Sequence, residues 1–473
     1  MQKNGKNVPG VIIAGLRGGS GKTVISLGIT AAWKEKGFKI SPFKKGPDYI
    51  DAGWLSKAAG RPCHNLDTFL CPPAIVKQSY IEHSKNCDIC LVEGNRGLYD
   101  GIDTDGSTST AELAKLLSLP VLLVLDCTKA TRTMAALVLG CMRFDPDIRI
   151  IGVILNRVAG KRHEQKVRVN IEKFCQVPVF GAVPKLDAED FPERHMGLVT
   201  SEEHAFSDKA IQAALQIVRD NIDLKGLYDV LIPEEPSLRM AEIQASLENQ
   251  YSGPERVTIG VIRDSAFQFY YPDNIDALRK LGAKIVFISP LKETSIPDVD
   301  AIYMGGGFPE THAPELARNQ GFRDNLKRIS EKGLPIYAEC GGLMYLAREI
   351  LDLEGRSHPM AGVLPFTVRM LPRLKALGYR EVTLTAAGLL GPAGTTARGH
   401  EFHYSEIVGE PDGVPRLYRL TPRRGGAAVS EGYGEKNVLA SYVHLHFASN
   451  PEVARHLVAN CRAYKDSFKE EST

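Results

Sequence analysis

Short apolar runs alternate with longer amphipathic stretches through the first half of this chain. The apolar runs contain few polar positions, which is typical of parallel strands whose two faces are both covered. The longer stretches between them repeat apolar residues at helical spacing. The pattern therefore predicts an α/β domain built on a parallel sheet, with strands at residues 11–15, 89–93, 121–126, 150–156 and 179–184.

The pattern changes at residues 231–256, where prolines and polar residues predict a linker. A second α/β pattern then begins, with predicted strands at 257–262, 284–288, 301–304 and 335–338. Residues 361–447 have shorter apolar runs and more turns, which favours antiparallel additions to the sheet. We therefore expect a first domain at 1–235, a linker at 236–256, a second domain at 257–460 and a polar, frayed tail at 461–473.

The composition is that of a globular protein, with 473 residues, 43% apolar residues and 24% charged residues. The net charge of +2 gives no reason to expect a nucleic acid or a membrane surface as partner. No apolar run reaches the roughly 18 residues of a transmembrane span. The nine scattered cysteines fit reduced thiols, so we expect a cytoplasmic location.

The first predicted strand leads into a glycine-rich loop and then a helix. The loop departs from the phosphate-binding consensus because Leu16 stands at the position of its first glycine. In such loops backbone N–H groups wrap phosphates, the lysine reaches the β- and γ-phosphates, and the hydroxyl residue can hold Mg²⁺. An ordinary glycine-rich turn is the alternative. We expect ATP to bind Gly18, Gly19, Ser20, Gly21, Lys22 and Thr23.

Polar side chains end several predicted strands, at the edge where parallel sheets bind ligands. Glu93 follows one strand and is a candidate Mg²⁺ ligand together with Thr23. Asp48 follows a Gly-Pro turn and is a further candidate, although a solvated charge cluster is the alternative. Asn156 is predicted either to read an adenine edge of ATP or to form a simple turn. Asp126 is either a site residue or a helix cap.

Cys340 stands between a predicted strand and a helical pattern, directly before two glycines. A cysteine on such a sharp turn is expected to expose its sulfur near a helix N-terminus, where partial positive charge favours the thiolate. A buried structural cysteine is the alternative. The pattern favours a catalytic nucleophile.

A cysteine nucleophile also needs a base and an oxyanion hole. His444 and His446 alternate along a predicted strand and therefore share one face, and His444 is the preferred base. A Gly-Gly-Gly turn follows the predicted strand at 301–304. We expect the backbone N–H groups of Gly306, Gly307 and Gly341 to stabilise the oxyanion.

Ten motifs occur in order and together resemble the cobyrinic acid a,c-diamide synthase family, over about residues 9–455. They lie at 19–23, 45–51, 92–94, 97–101, 155–158, 193–199, 305–310, 338–343, 399–405 and 441–447. The resemblance implies a dethiobiotin-synthetase-like P-loop domain followed by a flavodoxin-like glutaminase domain of the triad type. It implies an enzyme that uses ATP, Mg²⁺ and L-glutamine to amidate acetate side chains of a tetrapyrrole, and it allows a homodimer.

By motif, the resemblance implies that Asp48, Tyr49 and Asp100 bind the substrate, while Thr23, Asp48 and Glu93 hold Mg²⁺. Two departures are visible. Triad glutaminases place an acid two residues after the base, where this chain has His446. The loop after Glu93 also carries polar Asn95 and Arg96 at positions that are usually apolar in the family.

Cobyrinate is the first predicted substrate, and sirohydrochlorin, its nickel form and siroheme, which carry equivalent acetates, are the alternatives. Cobyric acid synthase, which amidates other positions, fits the phosphate loop less well. A different class, a partitioning-type P-loop ATPase with a non-catalytic second domain, fits poorly with Cys340 and His444.

Overall fold

A computed structural model describes residues 8–186, 204–232, 257–409, 413–422 and 427–470. The predicted linker at 236–256 and the motif at 193–199 lie outside the described residues. The chain divides into two compact units. One is Met1–Thr68 with Pro72–Leu247, and the other is Phe69–Cys71 with Glu248–Thr473.

The described strands of the first unit form one parallel sheet. They are β1 (Gly10–Gly15), β2 (Ile40–Lys45), β3 (His64–Leu66), β4 (Ile89–Glu93), β5 (Val121–Asp126), β6 (Ile150–Val158) and β7 (Val179–Pro184). Their order is β3-β2-β4-β1-β5-β6-β7. The central strands are buried along their whole length, which explains their unbroken apolar runs. The prediction of a parallel α/β domain is confirmed.

Helices follow most of these strands and supply apolar faces to the core. They are α1 (Lys22–Glu35), α2 (Tyr49–Ala59), α3 (Pro73–His83), α4 (Thr110–Leu117), α5 (Arg132–Phe144), α6 (Lys161–Cys175), α7 (His204–Asn221) and α8 (Leu224–Asp229). Trp33 of α1 and Trp54 of α2 are fully buried in this core. α2 begins at Tyr49 because the Asp48 side chain accepts a hydrogen bond from the backbone N–H of Asp51.

The second unit contains a larger mixed sheet and a small one. Its strands are β8 (Val257–Ile262), β9 (Ala283–Ile288), β10 (Ala301–Met304), β11 (Ile336–Glu339), β12 (Glu349–Leu351), β13 (Ser357–Pro359), β14 (Thr367–Met370), β15 (Ala376–Leu384), β16 (Thr396–His403), β17 (Ser405–Ile407), β18 (Arg416–Pro422), β19 (Val429–Glu435), β20 (Val438–Ser441) and β21 (His444–Leu445). The large sheet runs β21-β16-β15-β18-β19-β20-β11-β10-β8-β9, and the small one β13-β12-β14-β17.

The neighbours β20, β11, β10, β8 and β9 pair in parallel, and the strands from β21 to β19 are added to them antiparallel. The predicted antiparallel additions are therefore confirmed. The described helices of this unit are α9 (Pro272–Lys280), α10 (Ala313–Arg318), α11 (Gln320–Glu331), α12 (Gly341–Leu346) and α13 (Pro451–Glu470).

The C-terminal segment differs from the prediction of a frayed tail at 461–473. Helix α13 continues to Glu470, and Cys461 is completely buried with Leu457 and Val458. Apolar residues at helical spacing dock the first half of this helix, and the polar residues beyond extend it. Within the described residues, no helix combines the length and apolar character needed to cross a bilayer.

Candidate active sites

The phosphate loop joins β1 to α1 with the geometry that its glycines require. Gly21 has a left-handed φ of 92°, and a Cβ there would lie 2.1 Å from Asn156 Nδ2. Any side chain at this position would therefore displace the loop. At Gly18 and Gly19 an added Cβ would meet nothing within 4 Å, so one face of the loop is open to a ligand.

Lys22 begins α1 and turns back over the loop. Its Nζ donates hydrogen bonds to the backbone carbonyls of Arg17 at 3.1 Å and Arg96 at 2.8 Å. Burial lowers the pKa of Lys22, whereas the nearby Glu93 carboxylate acts in the opposite direction. The lysine is thus held at the loop's edge by carbonyl oxygens.

Glu93 lies at the end of β4 in a buried cluster of charges. Its Oε1 accepts hydrogen bonds from Thr23 Oγ1 at 2.9 Å and from Lys44 Nζ at 2.8 Å, and Lys44 also contacts Asp51 Oδ2 at 2.5 Å. Among the described residues no partner exists for Glu93 Oε2, which is buried. Burial raises the pKa of Glu93 to about 7. A buried carboxylate oxygen without a partner, next to a threonine hydroxyl, fits a hard cation such as Mg²⁺.

Lys44 was not among the predicted site residues. Burial lowers its pKa, but the carboxylates of Asp51 and Glu93 outweigh burial and hold the pKa well above its usual range. The sequence signal for this residue was a lysine within a buried strand. Lys and Glu are rarely fully buried unless they are paired, so such a lysine indicates a buried partner of opposite charge.

The three predicted substrate residues lie around this cluster. Asp48 caps α2, and burial raises its pKa to about 6. Tyr49 is the first residue of that helix. Asp100 Oδ2 accepts a hydrogen bond from the Gly97 N–H at 2.9 Å, and its charge acts on Lys22. The structure therefore brings the predicted acidic residues of the first unit to one end of its sheet.

Asn156 and Asp126 support the phosphate loop from the neighbouring strands. Asn156 Nδ2 donates to the Ser20 carbonyl at 2.9 Å, and its Oδ1 accepts from the N–H of Arg157. Asp126 Oδ2 accepts from Arg17 at 2.7 Å and from Arg157 at 2.9 Å. Both residues therefore bind the loop or groups attached to it. Asp126 forms ion pairs with two arginines, which the helix-cap alternative did not predict.

Cys340 occupies a strained turn between β11 and α12. Its backbone has φ 48° and ψ −101°, a combination that a side-chain-bearing residue seldom adopts. The predicted sharp turn is thus present. Sγ lies 3.8 Å from the Phe402 carbonyl oxygen.

The expected exposure of the thiol is wrong. Cys340 is buried, and burial together with the Glu310 charge raises its pKa well above the usual range, while the Gly341 amide acts in the opposite direction. A helix of six residues does not compensate for the loss of water around a thiolate. The resting group is therefore a thiol that needs a base.

The Gly-Gly-Gly turn after β10 faces Cys340. A Cβ at Gly341 would lie 3.0 Å from the Gly307 nitrogen, so these two backbones are in contact. Gly307 has φ 156°, and a Cβ there would lie 2.0 Å from the Ala266 carbonyl, which requires glycine.

The predicted oxyanion hole included the N–H of Gly306, and the structure gives this N–H another acceptor. Its N–H donates to the Phe269 carbonyl at 3.3 Å in an antiparallel bridge. Since that donor already has an acceptor, Gly307 and Gly341 remain as the predicted donors for an oxyanion.

His444 lies against the same glycine turn, at Gly306. A Cβ at Gly306 would be 2.3 Å from His444 Cε1, and the His444 ring stacks on His400 at 5.0 Å. Burial, together with His400 and His403, holds the pKa of His444 well below its usual range. A neutral imidazole can accept a proton, as the predicted base must. His446 is also buried, with its ring 4.5 Å from Tyr271.

Comparisons with known proteins cover both units. A family model described as an AAA domain matches residues 9–192, and one described as a CobB/CobQ-like glutamine amidotransferase domain matches residues 258–452. Together with the parallel sheet, these matches confirm the predicted fold class.

Three curated relatives, each named cobyrinate a,c-diamide synthase, match nearly the whole chain. The protein of Syntrophotalea carbinolica is 42% identical over 96% of this chain and 99% of its own length. That of Magnetococcus marinus is 39% identical over 94% and 96%, and that of Salmonella typhimurium is 37% identical over 95% and 98%.

Proposed function

Because this chain belongs to the cobyrinate a,c-diamide synthase family, we propose that it amidates the a- and c-acetate side chains of cobyrinate with ATP and glutamine. The observation that carries the proposal is a likeness that runs through both units over almost the full length of the relatives. The enzyme is a glutamine-hydrolysing carbon–nitrogen ligase.

The first unit supplies the activation step. A substrate carboxylate oxygen attacks the γ-phosphorus of ATP, the bond to the β-phosphate oxygen breaks, and an acyl phosphate and ADP form. Phosphate is a far better leaving group than oxide, so ammonia can then displace it to give the amide and inorganic phosphate. Lys22 and the backbone of the phosphate loop stabilise charge on the transferring group.

Mg²⁺ would be held by Thr23 and Glu93, with Asp48 close to the same end of the sheet, and when bound it neutralises charge on the phosphates. Asp48, Tyr49 and Asp100 are the residues proposed to bind the reacting acetate. Lys44 keeps Glu93 and Asp51 paired so that neither carboxylate is an isolated buried charge.

The second unit supplies ammonia. His444 takes the thiol proton as the sulfur of Cys340 attacks the amide carbon of glutamine, and the N–H groups of Gly307 and Gly341 stabilise the oxyanion. Collapse of this intermediate, with return of the proton to nitrogen, releases ammonia and leaves a thioester. Water hydrolyses the thioester to glutamate and regenerates the thiol.

Product analysis tests the proposal. The protein is incubated with cobyrinate, ATP, Mg²⁺ and glutamine, and mass spectrometry follows the exchange of OH for NH₂ at two carboxyl groups. We expect Cys340→Ala to lose the glutamine-dependent reaction and keep the reaction with added ammonia. Equal loss of both activities would contradict separate sites, and absence of glutamate release by the wild type would favour an ATPase switch.

Because the loop at Asn95 and Arg96 departs from the family pattern, we keep a second substrate class, namely sirohydrochlorin, nickel-sirohydrochlorin or siroheme. Arg96 is exposed in a left-handed conformation at φ 53°, beside the end of β2, and its carbonyl holds Lys22. A guanidinium so placed would meet another carboxylate of the substrate. Feeding cobyrinate and sirohydrochlorin separately, and comparing kcat/KM, decides between them.

We further propose a cytoplasmic homodimer that has no nucleic-acid or membrane partner. The nine cysteines are all free thiols in the structure, which suits a reducing compartment. Light scattering of the purified protein measures the oligomeric state, and a monomer mass would refute the dimer.

A further inference from the structure

The segment that carries the proposed base is held by two buried side chains. The N–H of Leu445 donates to Glu339 Oε1 at 2.9 Å, and the Leu445 carbonyl accepts from Asn274 Nδ2 at 2.8 Å. The N–H of Phe447 donates to Asn274 Oδ1 at 2.8 Å. These three hydrogen bonds fix the backbone directly after His444.

The strand needs this support because it lies at the edge of the large sheet. β21 has two residues and pairs only with β16 within the described sheet, where the N–H of His446 donates to the Arg398 carbonyl. In a strand, successive residues direct their backbone groups to opposite sides. The backbone N–H and C=O of Leu445 therefore point away from β16. Glu339 and Asn274 occupy the place that a neighbouring strand would otherwise take.

Both side chains are themselves fixed. Glu339 and Asn274 are fully buried. Glu339 accepts hydrogen bonds from the Tyr337 hydroxyl at 2.7 Å and the Tyr303 hydroxyl at 3.0 Å. Asn274 lies in the first turn of α9, and its Nδ2 also reaches the Tyr303 hydroxyl at 3.3 Å. A fully satisfied buried network of this kind specifies one geometry.

Glu339 also connects the base to the nucleophile. It is the last residue of β11 and immediately precedes Cys340. One carboxyl group thus links the strand that presents the thiol to the segment that presents the imidazole. A shift of about 1 Å between two such groups costs roughly 10²-fold in rate, so this link bears on catalysis.

We propose that Glu339 and Asn274 are positioning residues for glutamine hydrolysis, which hold His444 in place through the backbone that follows it. The inference rests on the proposed roles of Cys340 and His444. In a chain that has His446 two residues after the base, the buried carboxyl group before the nucleophile performs the orienting task. It acts through an amide of the main chain rather than through the imidazole itself.

Matched variants test the proposal. Asn319 makes the same kinds of contact in the same unit, because its Nδ2 donates to the Pro290 and Glu293 carbonyls and its Oδ1 caps Phe322. We expect Asn274→Ala to lower kcat for glutamine hydrolysis about 10²-fold with KM for glutamine unchanged. We expect Asn319→Ala to leave kcat unchanged.

Glu339 offers a conservative rescue. Burial raises its pKa to about 8, and glutamine keeps the shape of the side chain and an acceptor oxygen for the Leu445 N–H, whereas leucine keeps no acceptor. We expect Glu339→Gln to stay within about threefold of the wild-type kcat and Glu339→Leu to lose about 10²-fold. Ammonia-dependent amidation, which uses the first unit, stays at the wild-type rate in every variant.

The outcomes are distinct. A wild type that releases no glutamate removes the proposed function itself. Wild-type hydrolysis combined with equal kcat for Asn274→Ala and Asn319→Ala overturns the positioning role, as does an effect confined to KM. Should Asn274→Ala fail to fold, Asn274→Asp decides, because it keeps the acceptor for Phe447 and removes the donor for the Leu445 carbonyl. An unchanged kcat there would also overturn the proposal.

Discussion

Replacement of Lys44 by methionine removes one charge from a buried ion pair and keeps the unbranched apolar part of the side chain. Lys44 Nζ lies 2.8 Å from Glu93 Oε1, and the two side chains are 2% and 0% exposed. Removal of one partner of a buried ion pair costs about 3–5 kcal/mol, since the other charge stays buried. Burial already raises the pKa of Glu93 to about 7, so proton uptake by Glu93 offsets part of that cost. We expect the free energy of unfolding of the first unit to fall by about 3 kcal/mol.

Calorimetric melting measures this loss, and the transition that ATP and Mg²⁺ raise reports the first unit. For a unit of this size about 3 kcal/mol corresponds to a decrease in Tm of roughly 6–12 °C. Lys57→Met is the matched control, because Lys57 pairs with Asp208 at 2.9 Å but the two side chains are 22% and 68% exposed. An exposed pair contributes about 0–1 kcal/mol.

Two results would refute this reasoning. The first is an equal change in Tm for Lys44→Met and Lys57→Met. The second concerns the double variant Lys44→Met with Glu93→Gln, in which no unpaired buried charge remains at Glu93. We expect this double variant to melt above Lys44→Met, and a lower Tm would show that the cost lies in packing rather than in charge.

Three further predictions follow from the two sites. Glu93→Gln should lower ATP-dependent amidation by at least about 10²-fold while changing nucleotide affinity little, and unchanged turnover would remove Glu93 from the site. Gly307→Ala should reduce kcat for glutamine hydrolysis by about 10²–10³-fold, because its Cβ would lie 2.0 Å from the Ala266 carbonyl and displace an oxyanion donor. Since burial lowers the pKa of His444 and raises that of Cys340, kcat/KM for glutamine should stay level between about pH 6 and 8, and an acidic decline centred near 6.5 would contradict the neutral resting pair.

The sequence predicted those parts of the sites that lie at the ends of buried strands. The apolar runs before Glu93 and Cys340 are β4 and β11, and the runs end where the chemistry begins. The antiparallel strands added to the second sheet were also predicted, from the shorter apolar runs and frequent turns of residues 361–447. These features depend on neighbours within a few residues, which a sequence displays directly.

The parts that the sequence missed depend on pairing between distant strands. Lys44 meets Glu93 because β2 lies beside β4 with these two residues in register, and neither the strand order nor the register is visible in the residues around Lys44. The support for His444 combines residues near 274, 339 and 445. The part of helix α13 from residue 461 was mistaken for a tail because its polar residues outweighed the buried Cys461.

Burial also decides how the glutaminase site behaves before substrate arrives. The same exclusion of water raises the pKa of Cys340 and lowers that of His444, so a thiolate–imidazolium pair is disfavoured at rest. Proton transfer becomes favourable only when new charge is stabilised as it forms. We expect the N–H groups of Gly307 and Gly341 to do this for the oxyanion of bound glutamine. We therefore expect the thiol to react slowly with other electrophiles, and to react readily only when a carbonyl oxygen lies between these two glycines.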